Sequence, residues 1–90
     1  MKVLIVEDNA VLAEKICGWL TKENFTVDIA LTGKEADSFV KSSRYQVIIL
    51  DIGLPDENGL SLMQKWRSDG KDEAILVLSA RSSWTERVEG

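Results

Sequence analysis

Gln46-Val47-Ile48-Ile49-Leu50-Asp51-Ile52-Gly53-Leu54-Pro55 is the stretch that decides how this sequence folds. A run of branched aliphatics leads straight into an aspartate, and a glycine and a proline follow almost at once. A short continuous apolar run bounded by turn residues predicts a strand buried on both faces. Gly53 and Pro55 then end any regular element. Asp51 therefore belongs at the carboxyl end of a central strand, at the mouth of a loop. In open α/β sheets that is where ligands bind.

Lys2-Val3-Leu4-Ile5-Val6 has the same form and ends at Glu7-Asp8. Parallel neighbours lie about 4.8 Å apart, so pairing the two runs crowds Glu7, Asp8 and Asp51 onto one edge of the sheet. Three ionised carboxylates repel one another there. A hard cation such as Mg2+ is the simplest remedy, because it prefers oxygen ligands.

Ninety residues make one small domain, and a chain of this size buries only roughly 60–65% of its surface. The 44% hydrophobic and 29% charged content is that of a soluble globular protein. A net charge of -4 argues against direct nucleic-acid binding. No apolar run is long enough for a membrane span, and Glu7 and Asp8 interrupt the first one too early for a signal peptide. One cysteine and no histidine exclude a disulfide framework and a zinc site of the usual kind. A reducing, cytoplasmic setting is expected.

Outside the two apolar runs the pattern alternates between elements. Leu12, Ile16, Trp19 and Leu20, with Ala13 and Cys17 beside them, predict a first helix with these residues on its core face, capped by Asp8 or Asn9 and ending near Asn24. Gly18 inside it costs about 1 kcal/mol against alanine, and close packing is the available reason for it. Thr26-Val27-Asp28-Ile29-Ala30 alternates polar and apolar, as a half-exposed edge strand should. A second helix follows Thr32-Gly33 with Ala36, Phe39 and Val40 on one face. A third follows Asn58-Gly59 with Leu62, Met63 and Trp66, and Asp69-Gly70 stops it. Asp56 and Glu57 read as solvated loop acids. Ala74-Ile75-Leu76-Val77-Leu78 is a fourth strand, and Ser82 or Ser83 can cap a last helical stretch, Trp84–Val88.

Strands and helices in strict alternation predict a parallel sheet with helices on both faces. With the alternating second strand at an edge, the order is 2-1-3-4, the flavodoxin-like doubly wound arrangement. Its switch point falls between the first and third strands, at the acidic cluster. The fourth strand is apolar throughout, yet no later strand follows to cover it. The expectation is a chain shorter than its fold, lacking a fifth strand and helix.

Taken together, Val3-Leu4-Ile5-Val6-Glu7-Asp8, Asp51-Ile52-Gly53-Leu54-Pro55, Asn58-Gly59 and Leu78-Ser79-Ala80-Arg81 resemble the motifs of the receiver domain of two-component response regulators. The wording is similar to the subfamily whose receiver precedes a winged-helix DNA-binding domain, and the likeness runs across residues 1–90. The resemblance implies Asp51 as phosphoacceptor and Ser79 as the hydroxyl that senses the phosphoryl group. It implies Mg2+ held by Glu7, Asp8, Asp51 and the carbonyl of Gly53, with Glu7 acting mostly through water. A histidine kinase would be the phosphodonor, and DNA would be reached through an output domain outside these residues. The family's lysine after the fifth strand is not among the ninety residues, so phosphorylation of this stretch alone should be inefficient.

Aspartate forms acyl phosphates in known enzymes, and a bridging divalent cation offsets the charge of carboxylate and phosphoryl oxygens. The bland alternatives are a turn residue for Asp51, a helix N-terminus for Glu7-Asp8, a strand-end serine for Ser79 and an inert core thiol for Cys17. Haloacid-dehalogenase-like phosphatases also use a strand-end aspartate, but they carry a second aspartate two positions on, where this chain has Gly53. A nucleotide binder needs a phosphate loop after the first strand, where this chain has Glu7-Asp8. The expectation is a switch rather than an enzyme. With the outer edge of the fourth strand and the first-helix surface around Leu12, Ile16 and Cys17 left bare, the chain is expected to form a homodimer. The alternative is a self-associating fragment without phosphotransfer.

Overall fold

The computed structural model describes residues 1–78. Ser79, Arg81 and the stretch Trp84–Val88, singled out above, lie outside the described residues. The elements are β1 (Lys2–Val6), α1 (Ala10–Lys22), β2 (Thr26–Ala30), α2 (Gly33–Ser42), β3 (Val47–Asp51), α3 (Gly59–Ser68) and β4 (Ala74–Leu78). The strands form one parallel sheet in the order β2-β1-β3-β4, the flavodoxin-like order expected.

Each helix starts on a side chain that satisfies its first free N–H groups. Asn9, not Asp8, caps α1 by accepting from Leu12 N at 3.1 Å. Thr32 caps α2 by accepting from Glu35 N at 3.1 Å, while Glu35 reaches back to Leu31 N at 2.8 Å. Asn58 caps α3 by accepting from Leu60 N at 2.8 Å. Asn24 and Gly70, just past the ends of α1 and α3, take the left-handed conformation that turns the chain back towards the sheet.

The period-2 pattern of the strands divides the core in two. Leu4, Val6, Ile48 and Leu50 point to one face, where Ala36, Val40, Leu62 and Trp66 of α2 and α3 cover them. Val3, Ile5 and Ile49 point to the other face, where α1 brings Ala13 with Ile16, Cys17 and Leu20. Two side-chain bonds secure the first face. Trp66 Nε1–H donates to Asp37 of α2 at 3.1 Å, and Asp37 also pairs with Lys41 and Lys65. The Tyr45 hydroxyl donates to Asp28 at 2.6 Å.

Three expectations need correction. Trp19 is not a core residue: it stands 63% exposed at the rim of the α1 stripe. Close packing among the described residues does not explain Gly18, since a Cβ there would meet none of their atoms within 4 Å beyond its own helix backbone. In β2 burial does not alternate but rises from exposed Thr26 to buried Ala30. Asp28 is half-covered, and its carboxylate accepts the Tyr45 hydroxyl.

Candidate metal centre

Val6 of β1 lies beside Leu50 of β3. The next residue on each strand, Glu7 and Asp51, therefore emerges at the same level of the sheet. Both are buried, and Asp8 beside them is half-buried. One carboxylate oxygen from each of Glu7, Asp8 and Asp51 lies within 4.8 Å of the others. The sequence-predicted cluster is thus brought together at the switch point of the sheet.

The electrostatics of the cluster show in Glu7. Its carboxyl is pushed up to about 7, first by burial, with Asp8 and Asp51 adding to the effect and the Asn9 N–H opposing it. That N–H donates to Glu7 Oε2 at 2.9 Å. Near neutral pH a proton on Glu7 relieves the crowding of like charges; a divalent cation is the other way to relieve it. Three carboxylates converging on one point suit a hard cation that prefers oxygen, so the donor set fits such an ion.

Gly53 is joined to the same group. Its N–H donates to Asp51 Oδ1 at 3.1 Å, which ties the carboxylate to the loop that follows it. The loop is pinched at its neck by a bridge between Gly53 and Asn58 and by Gly59 N donating to the Ile52 carbonyl at 3.1 Å. A Cβ at Gly59 would lie 2.6 Å from Ile52 Cα and 2.7 Å from the Asp51 carbonyl oxygen. Only glycine lets the start of α3 come this close to the backbone that carries Asp51. Leu54 roots the loop in the core.

One loop residue was misread in the sequence. Asp56 is exposed, but it is not merely solvated: it accepts from Gly33 N at 2.8 Å and Lys34 N at 3.1 Å. The Gly33 N–H, foremost, holds its carboxyl below the usual range. No local signal marks this contact, because it joins residues 23 positions apart.

A cleft of about 370 Å3 opens elsewhere, among Arg44, Tyr45, Gln46, Asp72, Glu73 and Ala74, at the amino ends of β3 and β4. It holds one buried carboxylate, Glu73, whose Oε1 has no hydrogen-bond partner among the described residues and is itself inaccessible. Size favours this cleft and chemistry favours the carboxylate cluster at the opposite end. The converging side chains decide for the cluster. No helix among the described residues is long and apolar enough to cross a membrane.

Comparison with known proteins places these features. The family described as response regulator receiver domain matches residues 3–90. The chain is 43% identical over its full 90 residues to the transcriptional regulatory protein PmrA of Pectobacterium parmentieri. It is 45% identical over 89 residues, 99% of the chain, to the virulence transcriptional regulatory protein PhoP of Shigella flexneri. It spans about 40% of the length of each of these curated relatives. Among solved structures, a Francisella response regulator receiver domain superposes with a TM-score of 0.85 at 28% identity, covering 98% of this chain and 73% of that one.

Proposed function

The chain belongs to the response regulator receiver family, and from that premise we propose that Asp51 accepts a phosphoryl group from a partner histidine kinase. The observation that carries the proposal is the convergence of Glu7, Asp8 and Asp51 at the switch point of the sheet. The transfer balances simply. An Asp51 carboxylate oxygen attacks the phosphorus of a phosphohistidine, the phosphorus–nitrogen bond breaks, and the imidazole departs with its electron pair. These ninety residues hold no histidine, so the phosphohistidine lies outside them.

Glu7, Asp8, Asp51 and the Gly53 carbonyl are the groups that would hold Mg2+. When bound, the ion supplies positive charge against the carboxylates and the incoming phosphoryl oxygens. The rest is the work of the chain itself. Gly53 N–H fixes one oxygen of Asp51 and so orients the carboxylate. Burial and its acidic neighbours favour a proton on Glu7 up to about pH 7, and a bound cation would favour the ionised form instead. Ser79, one residue beyond β4, is the hydroxyl proposed to reach the phosphoryl group. The relatives are transcriptional regulators, so the phosphorylated state is proposed to control a DNA-binding output domain in the cytoplasm.

Intact-mass measurement with Mg2+ and a small phosphodonor tests this reading. A gain of one phosphoryl group that disappears in Asp51→Asn is expected. A gain that persists in Asp51→Asn, or none when a phosphorylated kinase is supplied to the longer protein, overturns it.

A second observation supports self-association as a homodimer. Among the described residues β4 is an outer strand of the sheet, and Leu76 and Val77 on it are exposed, Leu76 at 56%. An open apolar edge is a template for pairing. Sedimentation velocity at micromolar concentration should give a dimer, and Leu76→Lys should shift it to monomer.

A further inference from the structure

The loop between β3 and α3 is held at three places. Its neck is closed by the Gly53–Asn58 bridge, Leu54 is sunk in the core, and its tip is fastened by Asp56. The first two fix where the chain leaves and re-enters the sheet. The third holds the tip between them. Asp56 spends both carboxylate oxygens on consecutive N–H groups, at Gly33 and Lys34, in the first turn of α2. Charge-assisted bonds of this kind are about twice as strong as neutral ones, and the positive end of a ten-residue helix adds to them.

The helix is shaped to receive the loop. Gly33 is buried, and a Cβ on it would lie 3.0 Å from Glu57 Oε2, 3.1 Å from Glu57 Cβ and 3.3 Å from Asp56 Oδ1. Helix start and loop tip therefore touch closely, on the chain segment that also carries the Gly53 peptide bonded to Asp51.

We propose that Asp56 is a positioning residue for the metal site: by latching the loop to α2 it fixes the Gly53 peptide beside Asp51. The proposal rests on the reading of Glu7, Asp8, Asp51 and Gly53 as the Mg2+ site. Neither Asp56 nor α2 is among the groups that would hold the ion; the latch acts through the loop. Residues that orient metal ligands typically change affinity by about 10–100-fold when removed, and the lower end of that range applies to a backbone ligand.

Calorimetric titration with Mg2+ tests the latch. Asp56→Ala should bind on the order of tenfold more weakly than the wild type. Gly33→Ala should weaken binding too, with no change of charge and no loss of helix propensity. Two controls separate positioning from its imitations. Thr32→Ala removes the cap of the same helix, and Glu57→Gln removes one charge from the same loop. Both should stay within about twofold of wild type. Amide exchange at Gly53 should quicken in Asp56→Ala and Gly33→Ala but not in the controls. Unchanged Mg2+ affinity in Asp56→Ala, or an equal loss in Thr32→Ala or Glu57→Gln, overturns the proposal. A wild-type chain that takes up no Mg2+ brings down the metal reading itself. The Gly53 amide then still decides whether Asp56 holds the loop.

Discussion

The two faces of the sheet are closed to different degrees. On the α2–α3 face Leu4, Val6, Ile48, Leu50, Leu62 and Trp66 are all sealed, and hydrogen bonds from the buried Trp66 and Tyr45 reach Asp37 and Asp28 at its margin. On the α1 face the inner residues Val3 and Ile5 are equally covered, but Ile16, Cys17, Leu20, Phe25, Val27, Ile29 and Leu78 are only partly buried. Among the described residues, two helices close one side and a single helix leaves the other half-open. The stability of these residues should therefore depend most on the first face. The carboxylate cluster lies at the upper seam between them, where β1 and β3 end.

The largest expected effect contrasts the faces directly. Trp66→Ala should cost about 3–5 kcal/mol, through lost burial and the loss of its bond to Asp37. In a domain whose total stability is of the order of 5–15 kcal/mol, that change alone brings the chain near unfolding. Leu20→Ala on the open face should cost about 1–2 kcal/mol, because less area leaves water there. Urea denaturation of the two variants measures both, and equal losses would erase the asymmetry.

The seam should respond next. Mg2+ at a hundred times its dissociation constant should raise stability by about 2.7 kcal/mol. The gain should vanish in Asp8→Ala, as thermal melts would show. In EDTA the sign of the pH dependence follows from Glu7. It ionises near 4.5 when unfolded and at about 7 when folded, so the native chain keeps the extra proton between those values. Its contribution is fully present below about 4.5 and is lost as pH rises through about 7. Melts of the metal-free chain should fall across that window, and Glu7→Gln should flatten them.

The smallest effect sharpens the view of the open face. Gly18→Ala should stabilise by about 0.5–1 kcal/mol, since a methyl group there meets open space among the described residues and helix propensity improves. A loss of stability would mean that α1 is covered by something when folded in solution.

Much of this was legible in the sequence because it rests on periodicity and on strand ends. Apolar runs closed by Glu7-Asp8 and by Asp51 gave two central strands. The polar alternation of Thr26–Ala30 put β2 at the edge, and the order of the sheet then brought three carboxylates together. What escaped depends on contacts across the chain. A helical stripe does not say which member falls at its rim, and Trp19 fell there. A buried tyrosine or tryptophan must satisfy its polar atom, but that Tyr45 would choose Asp28, or Trp66 choose Asp37, follows only from how the layers stack. Asp56 likewise reads as one more loop acid until α2 is set opposite it.

Tyr45 offers a consequence of a different sort. It is the only tyrosine in the chain. Burial, and then the Asp28 carboxylate, push its phenol above the usual range. Its hydroxyl spans from the segment entering β3 to the edge strand β2, passing over β1. Tyrosinate absorbance is thus an optical signal from a single bond. On raising the pH, tyrosinate absorbance would report the opening of the Tyr45–Asp28 contact.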